Sequence, residues 1–262
     1  MSLLLIGAGR MGGALLKGWR ANGVKSIIVV EPKPSAEVKK LAKAKAITLL
    51  AAPSQVAAKI DTCIVAIKPQ ILKGEAPALA AIARKSLMIS IAAGTSIAGL
   101  QKAWGKKARI VRAMPNTPGA IGRGITGLYA AKSVTASDRK TADALLSALG
   151  QTLWVKSEVL IDSVTALSGS GPAYVFHLVE AMTEAGIAIG LSKVEAEKLA
   201  RATVAGAGAL LDADKTSAAD LRIAVTSPGG TTEAALKVLM PELPGLMTRA
   251  LSAAKKRAEE LR

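Results

Sequence analysis

The sequence has few of the residues on which several common protein chemistries depend. One cysteine, Cys63, and one histidine, His177, occur among 262 residues, and Phe, Trp and Tyr together make up 2%. One cysteine excludes an internal disulfide framework, and without a His/Cys cluster at ligand spacing we expect no metal site. So few aromatic side chains also leave little from which to build a platform that stacks nucleic-acid bases.

Long apolar runs and dense basic tracts are also missing. Apolar residues make up 50% of the chain, but lysines interrupt every apolar run before the roughly 18 residues that a membrane span requires. The start, MSLLLIGAGR, lacks the charged and small-residue regions of a secretory signal, so we expect a cytoplasmic protein with no membrane partner. The net charge of +16 is spread along helical patterns. We expect no nucleic-acid partner and interpret this charge as attracting anionic metabolites.

Short apolar runs alternate with helical patterns through the first half of the chain, which predicts βαβ units in a parallel sheet. From residue 162 onward the pattern is helical and rich in small and apolar residues, which predicts burial in a partner subunit. We therefore expect an α/β protein, with a doubly wound sheet over residues 1–158 and an all-helical domain over 159–262 that associates with a partner subunit. The predicted strands cover 3–6, 27–30, 47–50, 62–67, 87–91, 109–112, 125–130 and 151–155, and the predicted later helices cover 163–189, 193–211, 217–225, 232–239 and 241–261.

The motif GAGRMG, at residues 7–12, matches the G-x-G-x-x-G fingerprint of dinucleotide-binding domains. It follows a predicted strand, opens a predicted helix, and precedes by about 20 residues the acidic Glu31 at the end of the second strand. We assign Gly7 to the tight turn, Gly9 to the approach of a pyrophosphate and Gly12 to close packing of helix on strand. The first half is therefore predicted to be a Rossmann domain that binds a dinucleotide.

The residues around Glu31 admit both nicotinamide cofactors. The Glu31 carboxylate would accept from a free ribose 2′-hydroxyl and repel a 2′-phosphate. Lys33 and Ser35, which follow it, would instead hold a 2′-phosphate. The choice between NADH and NADPH stays open at this point, with NADP slightly favoured.

Small residues and prolines follow several later strands, at the sheet edge where open α/β proteins bind ligands. They predict a floor for the nicotinamide ring, and Asn116, between two prolines, would fix the carboxamide or the substrate. This set consists of Ala66, Ile67, Lys68, Pro69, Ala92, Ala93, Gly94, Met114 and Asn116. His177 lies in a helical pattern and gives little support to a His-carboxylate acid/base pair. A redox enzyme without a strong general acid favours an imine, whose nitrogen can carry its proton before hydride arrives.

The segment VTSPGGTT, at residues 225–232, combines two glycines, several hydroxyls and the start of a predicted helix. Such a loop directs backbone N–H groups into one concavity, which suits a small anion such as a carboxylate. From its residues alone, a glycine-rich link between two helices explains the loop equally well.

Five segments occur in the order found in the pyrroline-5-carboxylate reductase family: IGAGRMG, AIKPQ, MPNTP, ALSGSGPAYVFHLVEAMTEAGIAIGL and VTSPGGTTEAAL. The resemblance covers essentially the whole chain. It implies NAD(P)H-dependent reduction of 1-pyrroline-5-carboxylate to L-proline by direct hydride transfer, the last step of proline biosynthesis. It also implies a homodimer interlocked through the C-terminal helices, often assembled further, in which the SPGGTT loop meets the cofactor domain across the dimer interface.

The resemblance further implies roles for individual residues. Thr232 would face the ring nitrogen as the catalytic residue, and the backbone N–H groups of residues 230–232 would hold the carboxylate. Ser54 stands where the family has an asparagine, and Ile223 and Ala224 stand where polar residues are common. The predicted substrate-binding residues are Asn116, Ser227, Gly229, Gly230, Thr231 and Thr232. Besides the strand-end residues, the predicted cofactor-binding residues are Ile6, Gly7, Ala8, Gly9, Arg10, Met11, Gly12, Glu31, Lys33, Ser35 and Ser54.

Two other functions match part of the pattern. A related oxidoreductase acting on a β-hydroxyacid would need a lysine on the long helix, and residues 163–189 contain none. A protein that senses dinucleotides without turnover would be expected to have a degenerate substrate loop, whereas this loop is intact.

Overall fold

A computed structural model describes residues 1–261 of the chain. These residues form two compact units. The N-terminal unit comprises Met1–Gly169 together with the end of the chain from Ala254, and the helical unit comprises Ser170–Ala253. Among the described residues, no helix combines the length and the apolar content needed to cross a membrane.

The N-terminal unit is built on one eight-stranded sheet, with the strand order β3-β2-β1-β4-β5-β6-β7-β8. Neighbouring strands are parallel except β6 and β7, which pair antiparallel. Each predicted strand is present, with boundaries within about two residues. The strands are β1 (Leu3–Ile6), β2 (Ile27–Val30), β3 (Thr48–Leu50), β4 (Thr62–Val65), β5 (Leu87–Ser90), β6 (Arg109–Met114), β7 (Gly124–Ala130) and β8 (Gly150–Trp154).

Eleven α-helices lie in the described residues, and the first seven belong to the sheet-containing unit. They are α1 (Arg10–Ala21), α2 (Ala36–Lys43), α3 (Pro69–Glu75), α4 (Ala80–Ala83), α5 (Ile97–Trp104), α6 (Ala136–Leu146), α7 (Leu160–Val164), α8 (Gly171–Ala188), α9 (Lys193–Ala213), α10 (Ala218–Ala224) and α11 (Thr231–Glu260).

Two apolar clusters cover the two faces of the sheet, because successive side chains of a strand point to opposite sides. In β1, Leu3 and Leu5 contribute to the cluster that contains Trp19 of α1, and Leu4 and Ile6 contribute to the cluster that contains Trp104 of α5. The indole N–H groups of these two tryptophans donate to the backbone carbonyls of Leu145 at 2.7 Å and Ala76 at 2.9 Å, respectively. The sheet is thereby held between two helical layers, which fixes its carboxyl edge.

The single long helix predicted for residues 163–189 is wrong. The structure divides this stretch into α7, a π-helical turn at Thr165–Gly169, and α8. The physical reason lies in the GSGP segment. Pro172 cannot donate a backbone N–H, so it is accommodated in the first turn of a new helix rather than within an older one.

The break predicted between residues 239 and 241 is also wrong, because α11 runs without interruption through Pro241 and Pro244. The fixed φ of proline is itself helical, so Pro241 removes one hydrogen bond to Lys237 O and crowds that carbonyl without ending the helix. The hydroxyl of Thr248 donates to the carbonyl of Pro244 at 2.9 Å.

Candidate functional site

The glycines of the fingerprint occupy three different environments. Gly7 adopts a φ of +90°, and a Cβ at this position would lie 2.6 Å from Ile67 Cγ2. A Cβ on Gly12 would overlap the carbonyl oxygen of Gly7, so α1 can start this close to the turn only with glycine there. An added Cβ on Gly9 would meet no atom within 4 Å. Gly9 therefore borders open space, into which a pyrophosphate can approach the backbone.

The first turn of α1 has no side-chain cap. Gly9 is the N-cap residue, and Gly13 N–H donates to Gly9 O at 2.7 Å as the first bond of the helix. The N–H groups of Arg10, Met11 and Gly12 therefore have no acceptor within the helix. Together with the positive end of the helix dipole, they suit an anion such as pyrophosphate.

Two backbone N–H groups fix the side chain of Glu31, which follows β2. Its Oε2 accepts from Ala8 N–H at 2.9 Å, and its Oε1 accepts from Lys33 N–H at 3.0 Å. Ser35 ends this loop as the N-cap of α2, where its Oγ accepts from Val38 N–H at 3.3 Å. The Glu31 carboxylate thus connects the fingerprint turn to the loop that precedes α2.

A cavity of about 590 Å³ lies beside these groups, and we call it the cofactor cavity. Gly13, Ala14 and Lys17 line it although sequence reasoning missed them. Their spacing from Arg10 places all four on one face of α1, which is the signal that could have identified them. The predicted residues that line it are Ala8, Gly9, Arg10, Glu31, Lys33 and Ser35.

The strand-end residues converge on one edge of the sheet. The strands β1, β4, β5 and β6 are parallel, and their register aligns Ile6, Val65, Ser90 and Arg112. The residues that follow these positions therefore lie at the same carboxyl edge as the fingerprint turn. They are Ala66, Ile67, Lys68 and Pro69 after β4, Ala92, Ala93 and Gly94 after β5, and Met114 and Asn116 at the end of β6.

Several candidate residues have local roles in the structure. Ser54 is exposed in a short 3₁₀ turn after β3 and does not line the cofactor cavity. Asn116 Oδ1 accepts from Ile125 N–H at 3.0 Å, so its amide N–H₂ is the group that can donate to a ligand. His177 Nδ1 lies 3.0 Å from Glu180 Oε2, and both side chains are exposed on α8.

The loop at residues 225–232 lies in the helical unit and forms a tight turn before α11. Gly229 has a φ of +70°, and its N–H donates to Glu233 Oε2 at 2.8 Å. Gly230 N–H donates to Ser227 O at 3.0 Å. Of the three N–H groups predicted to hold the carboxylate, those of Thr231 and Thr232 therefore remain available. These two residues open α11, where a helix supplies no acceptor for their N–H groups.

Burial separates the predicted substrate residues of this loop. Ser227, Gly229 and Thr231 are exposed, whereas Gly230 and Thr232 are half-buried. Sequence reasoning missed Glu233, whose carboxylate also lies 3.7 Å from Lys237 Nζ. An acidic residue in the first turn of a predicted helix was the available signal.

The doubly wound sheet, the uncapped first turn of α1 and the Glu31-bordered cavity define the N-terminal unit as a dinucleotide-binding domain of the oxidoreductase class. Two family models match parts of the chain. One, described as pyrroline-5-carboxylate reductase dimerisation, matches residues 158–261, and the other, described as coenzyme F420-dependent NADP oxidoreductase, matches residues 2–94.

Relatives match the chain over its whole length. A pyrroline-5-carboxylate reductase of Pseudomonas aeruginosa is 42% identical over 99% of this chain and 96% of its own, and one of Synechocystis is 38% identical over 100% and 98%. The structure of a pyrroline-5-carboxylate reductase from Coxiella burnetii covers 99% of this chain and 98% of its own, at 39% identity and a TM-score of 0.92. That of the Plasmodium falciparum enzyme with NADP bound covers 100% and 98%, at 26% identity and a TM-score of 0.83. The chain belongs to the pyrroline-5-carboxylate reductase family.

Proposed function

We propose that this protein reduces 1-pyrroline-5-carboxylate to L-proline with NADH or NADPH. The observation that carries the proposal is the first turn of α11, where the N–H groups of Thr231 and Thr232 have no helical acceptor and can bind a carboxylate. The dinucleotide cradle at Gly9 lies in the same chain. A hydride donor and a carboxylate site are the two parts that this reduction needs.

The residues of the chain have few chemical tasks in this reaction. The cofactor supplies a hydride when it is bound. The hydride adds to the carbon of the C=N bond, and the nitrogen retains the proton that the imine already carries. The amides of Thr231 and Thr232 hold the carboxylate, and the Thr232 hydroxyl hydrogen-bonds to the ring nitrogen. Because no protein side chain must deliver the proton, alignment of the two bound molecules supplies most of the rate enhancement.

The cofactor part of the proposal rests on the open space at Gly9 and on the cofactor cavity. The turn from Ile6 to Gly12 would hold the pyrophosphate, and Glu31, Lys33 and Ser35 would surround the adenosine ribose. The strand-end residues would border the nicotinamide ring.

The proposed assembly divides the chain into a cofactor domain over residues 1–158 and a substrate and dimerisation domain over 159–262. The two are proposed to act in a homodimer that pairs through the C-terminal helices. The proposed setting is cytoplasmic, and the single cysteine excludes the disulfide-rich class of secreted chains.

The test of the proposed chemistry is the Thr232→Ala variant, assayed by loss of reduced-nicotinamide absorbance with 1-pyrroline-5-carboxylate. We expect kcat to fall about 10- to 100-fold, because a hydrogen bond to the reacting nitrogen is lost in the transition state. Thr232→Ser, which keeps the hydroxyl, should recover much of the activity.

Thr248→Ala is the matched control, because Thr248 lies in the same helix and its hydroxyl only donates to the carbonyl of Pro244, at 2.9 Å. Its kcat should equal that of the unaltered protein. Full turnover by Thr232→Ala would contradict the role given to the hydroxyl, and no oxidation of either nicotinamide cofactor by the unaltered protein would contradict the proposed reaction.

A further inference from the structure

A group of charges centred on the buried Arg112 of β6 lies outside the lining of the cofactor cavity. The side chain of Arg112 is 3% exposed, and its Nη1 lies 3.1 Å from Glu158 Oε1. Its Nη2 lies 3.6 Å from Asp162 Oδ1, whose side chain is 1% exposed. Buried ion pairs pay a large desolvation cost and are weak sources of stability. The burial of Arg112 in β6 therefore indicates that it positions other groups rather than stabilises the fold.

The Glu158 carboxylate has a second partner. Its Oε1 also accepts from Ile97 N–H at 2.7 Å. Ile97 is the first residue of α5, so its N–H has no acceptor within the helix. The N-cap side chain, Ser96 Oγ, accepts from Gly99 N–H at 3.1 Å instead. One oxygen of Glu158 therefore joins the guanidinium of Arg112 to the start of α5.

The segment between β5 and α5 contains Ala92, Ala93 and Gly94, the residues proposed to border the nicotinamide ring. At its beginning, Ile91 N–H donates to Val65 O at 3.0 Å, which continues the β-ladder. At its other end lies Ile97, held by Glu158. The first end of this short loop is therefore held by the β-ladder, and the second by the Glu158 carboxylate together with the burial of Ile97 in the core.

We propose that Arg112 is a positioning residue for hydride transfer: by orienting Glu158, it fixes the start of α5 and thereby the loop at Ala92–Gly94. This inference rests on the proposed placement of that loop beside the nicotinamide. The fingerprint turn, which would hold the pyrophosphate, lies in a different βα connection and does not depend on Arg112. Loss of the arginine should therefore change turnover much more than cofactor binding.

The kinetic test compares Arg112→Met with Arg112→Lys and Glu158→Ala. We expect kcat to fall about 10- to 100-fold in Arg112→Met and in Glu158→Ala, with cofactor KM within roughly threefold of the unaltered protein, since a small displacement of the reacting groups is enough for such a loss. Arg112→Lys, which keeps a positive charge, should regain part of kcat. Glu158 is 23% exposed, so its variant provides the test if Arg112→Met does not fold.

Arg109→Met is the matched control. It breaks an ion pair of the same strand, in which Arg109 Nη1 lies 2.6 Å from Asp138 Oδ1, and a hydrogen bond from Arg109 Nη2 to Lys85 O at 3.1 Å. Neither polar partner is Glu158 or a residue of α5. Its kcat should stay close to that of the unaltered protein. An equal loss of kcat in Arg109→Met and Arg112→Met would overturn the inference, because any broken ion pair of β6 would then have the same effect.

Hydrogen exchange of the segment 91–100, measured by mass spectrometry without substrate, tests whether Arg112 and Glu158 fix the start of α5. It does so independently of the proposed nicotinamide site. We expect exchange to be at least about tenfold faster in Arg112→Met and Glu158→Ala, because the Ile97 N–H loses its acceptor. Unchanged exchange in both variants would overturn the inference whatever their activity. Faster exchange with full kcat would also overturn it.

The unaltered protein supplies the independent check on the proposed site. NADH or NADPH should slow exchange at residues 91–97 if this loop borders the nicotinamide. If neither cofactor slowed exchange while the variants still exchanged faster, the placement of the loop beside the nicotinamide would be wrong, and the positioning inference would fail with it. The hold of Glu158 on the start of α5 would still have been demonstrated. Protection by the cofactor with unchanged exchange in the variants would leave the site standing and remove only the role of Arg112.

Discussion

Glu31 and Lys33 place opposite charges at the border of the same cavity. Both oxygens of the Glu31 carboxylate accept from backbone N–H groups, so the negative charge is held in place next to the fingerprint turn. A carboxylate here favours a ribose 2′-hydroxyl over a 2′-phosphate. The exposed ammonium of Lys33 has the reverse preference, so we expect the balance of the two charges to set the cofactor choice.

We expect Lys33→Ala to weaken the use of NADPH relative to NADH. The ratio of kcat/KM values for the two cofactors should shift by about fivefold toward NADH, because an exposed charge pair is worth up to about 1 kcal/mol. Steady-state kinetics with each cofactor measure the ratio. Lys39→Ala, which removes an exposed lysine from α2 outside the cavity lining, should leave the ratio as it is.

The thiol of Cys63 is fully buried in β4, and burial raises its pKa because a thiolate would be desolvated there. We expect iodoacetamide near pH 8 to label the unfolded chain in denaturant and to leave the folded chain unlabelled, as measured by intact mass. Labelling of both at the same rate would contradict this expectation.

The same shift has a consequence for stability. Because the folded-state pKa of Cys63 lies above the unfolded value, its contribution to stability is complete below the unfolded pKa of about 8.5 and is lost as the pH rises beyond it. Cys63→Ser would not serve as the neutral variant, since it buries a hydroxyl in an apolar layer. Cys63→Ala should remove this alkaline loss in denaturant titrations.

At the scale of elements, the turn between β1 and α1 depends on the absence of side chains. A Cβ on Gly12 would overlap Gly7 O and lie 3.2 Å from Ala66 Cβ, so an added methyl group must push α1 away from the ends of β1 and β4. At Gly13, by contrast, the nearest atom to an added Cβ is Ala8 O at 3.6 Å, an ordinary contact.

We expect Gly12→Ala to destabilise the chain by about 1–3 kcal/mol and to lower its Tm by several degrees, as overpacking does. Cofactor affinity should fall with it, because the first turn of α1 is displaced. In Gly13→Ala the Tm should be unchanged or higher, since alanine is the better helix former by roughly 1 kcal/mol. Thermal unfolding and cofactor titration measure both effects, and equal Tm values for the two variants would contradict the packing argument.

Local pattern was sufficient for most elements but not for the helix boundaries of the helical unit. Most strands of the sheet were predictable because a buried strand is a short apolar run with turn residues on both sides. The π-helical turn before α8 and the passage of α11 through Pro241 were not, because proline and glycine permit more than one local outcome. At the first of these, Gly169 lies close to β6, where an added Cβ would lie 2.7 Å from Met114 Cε, a contact that no local pattern contains.

At the scale of the whole molecule, the helical unit buries small side chains and exposes large ones. Helices α8 and α9 pack closely at Gly186 and Ala196. A Cβ added to Gly186 would lie 3.0 Å from Ala196 Cβ. Phe176, by contrast, is 62% exposed and Leu211 is 52% exposed. These and further large apolar side chains exposed on the helical unit indicate a surface for association. This agrees with the match of residues 158–261 to a dimerisation family.

We expect the purified protein to sediment as a dimer or a larger assembly. Phe176→Asp should weaken that association by about tenfold or more, since it would place a charge where association buries an aromatic side chain. Ile121→Asp is the control, because Ile121 is 79% exposed in the N-terminal unit. Sedimentation over a range of concentrations measures both. A Phe176→Asp variant with unaltered mass at every concentration would place the interface elsewhere.

Contiguous residues were enough to predict the order of strands and helices, the nucleotide fingerprint and the family, because each depends on a local period or on a short motif. Contacts between distant residues required the fold. Glu158 accepts from Ile97, 61 positions away, and the side-chain oxygen of Asn116 accepts from Ile125 N–H. Such pairings follow from which strands lie side by side and how closely their connections pack, and hydrogen bonds made this way depend on distances of a few tenths of an ångström that no residue pattern specifies.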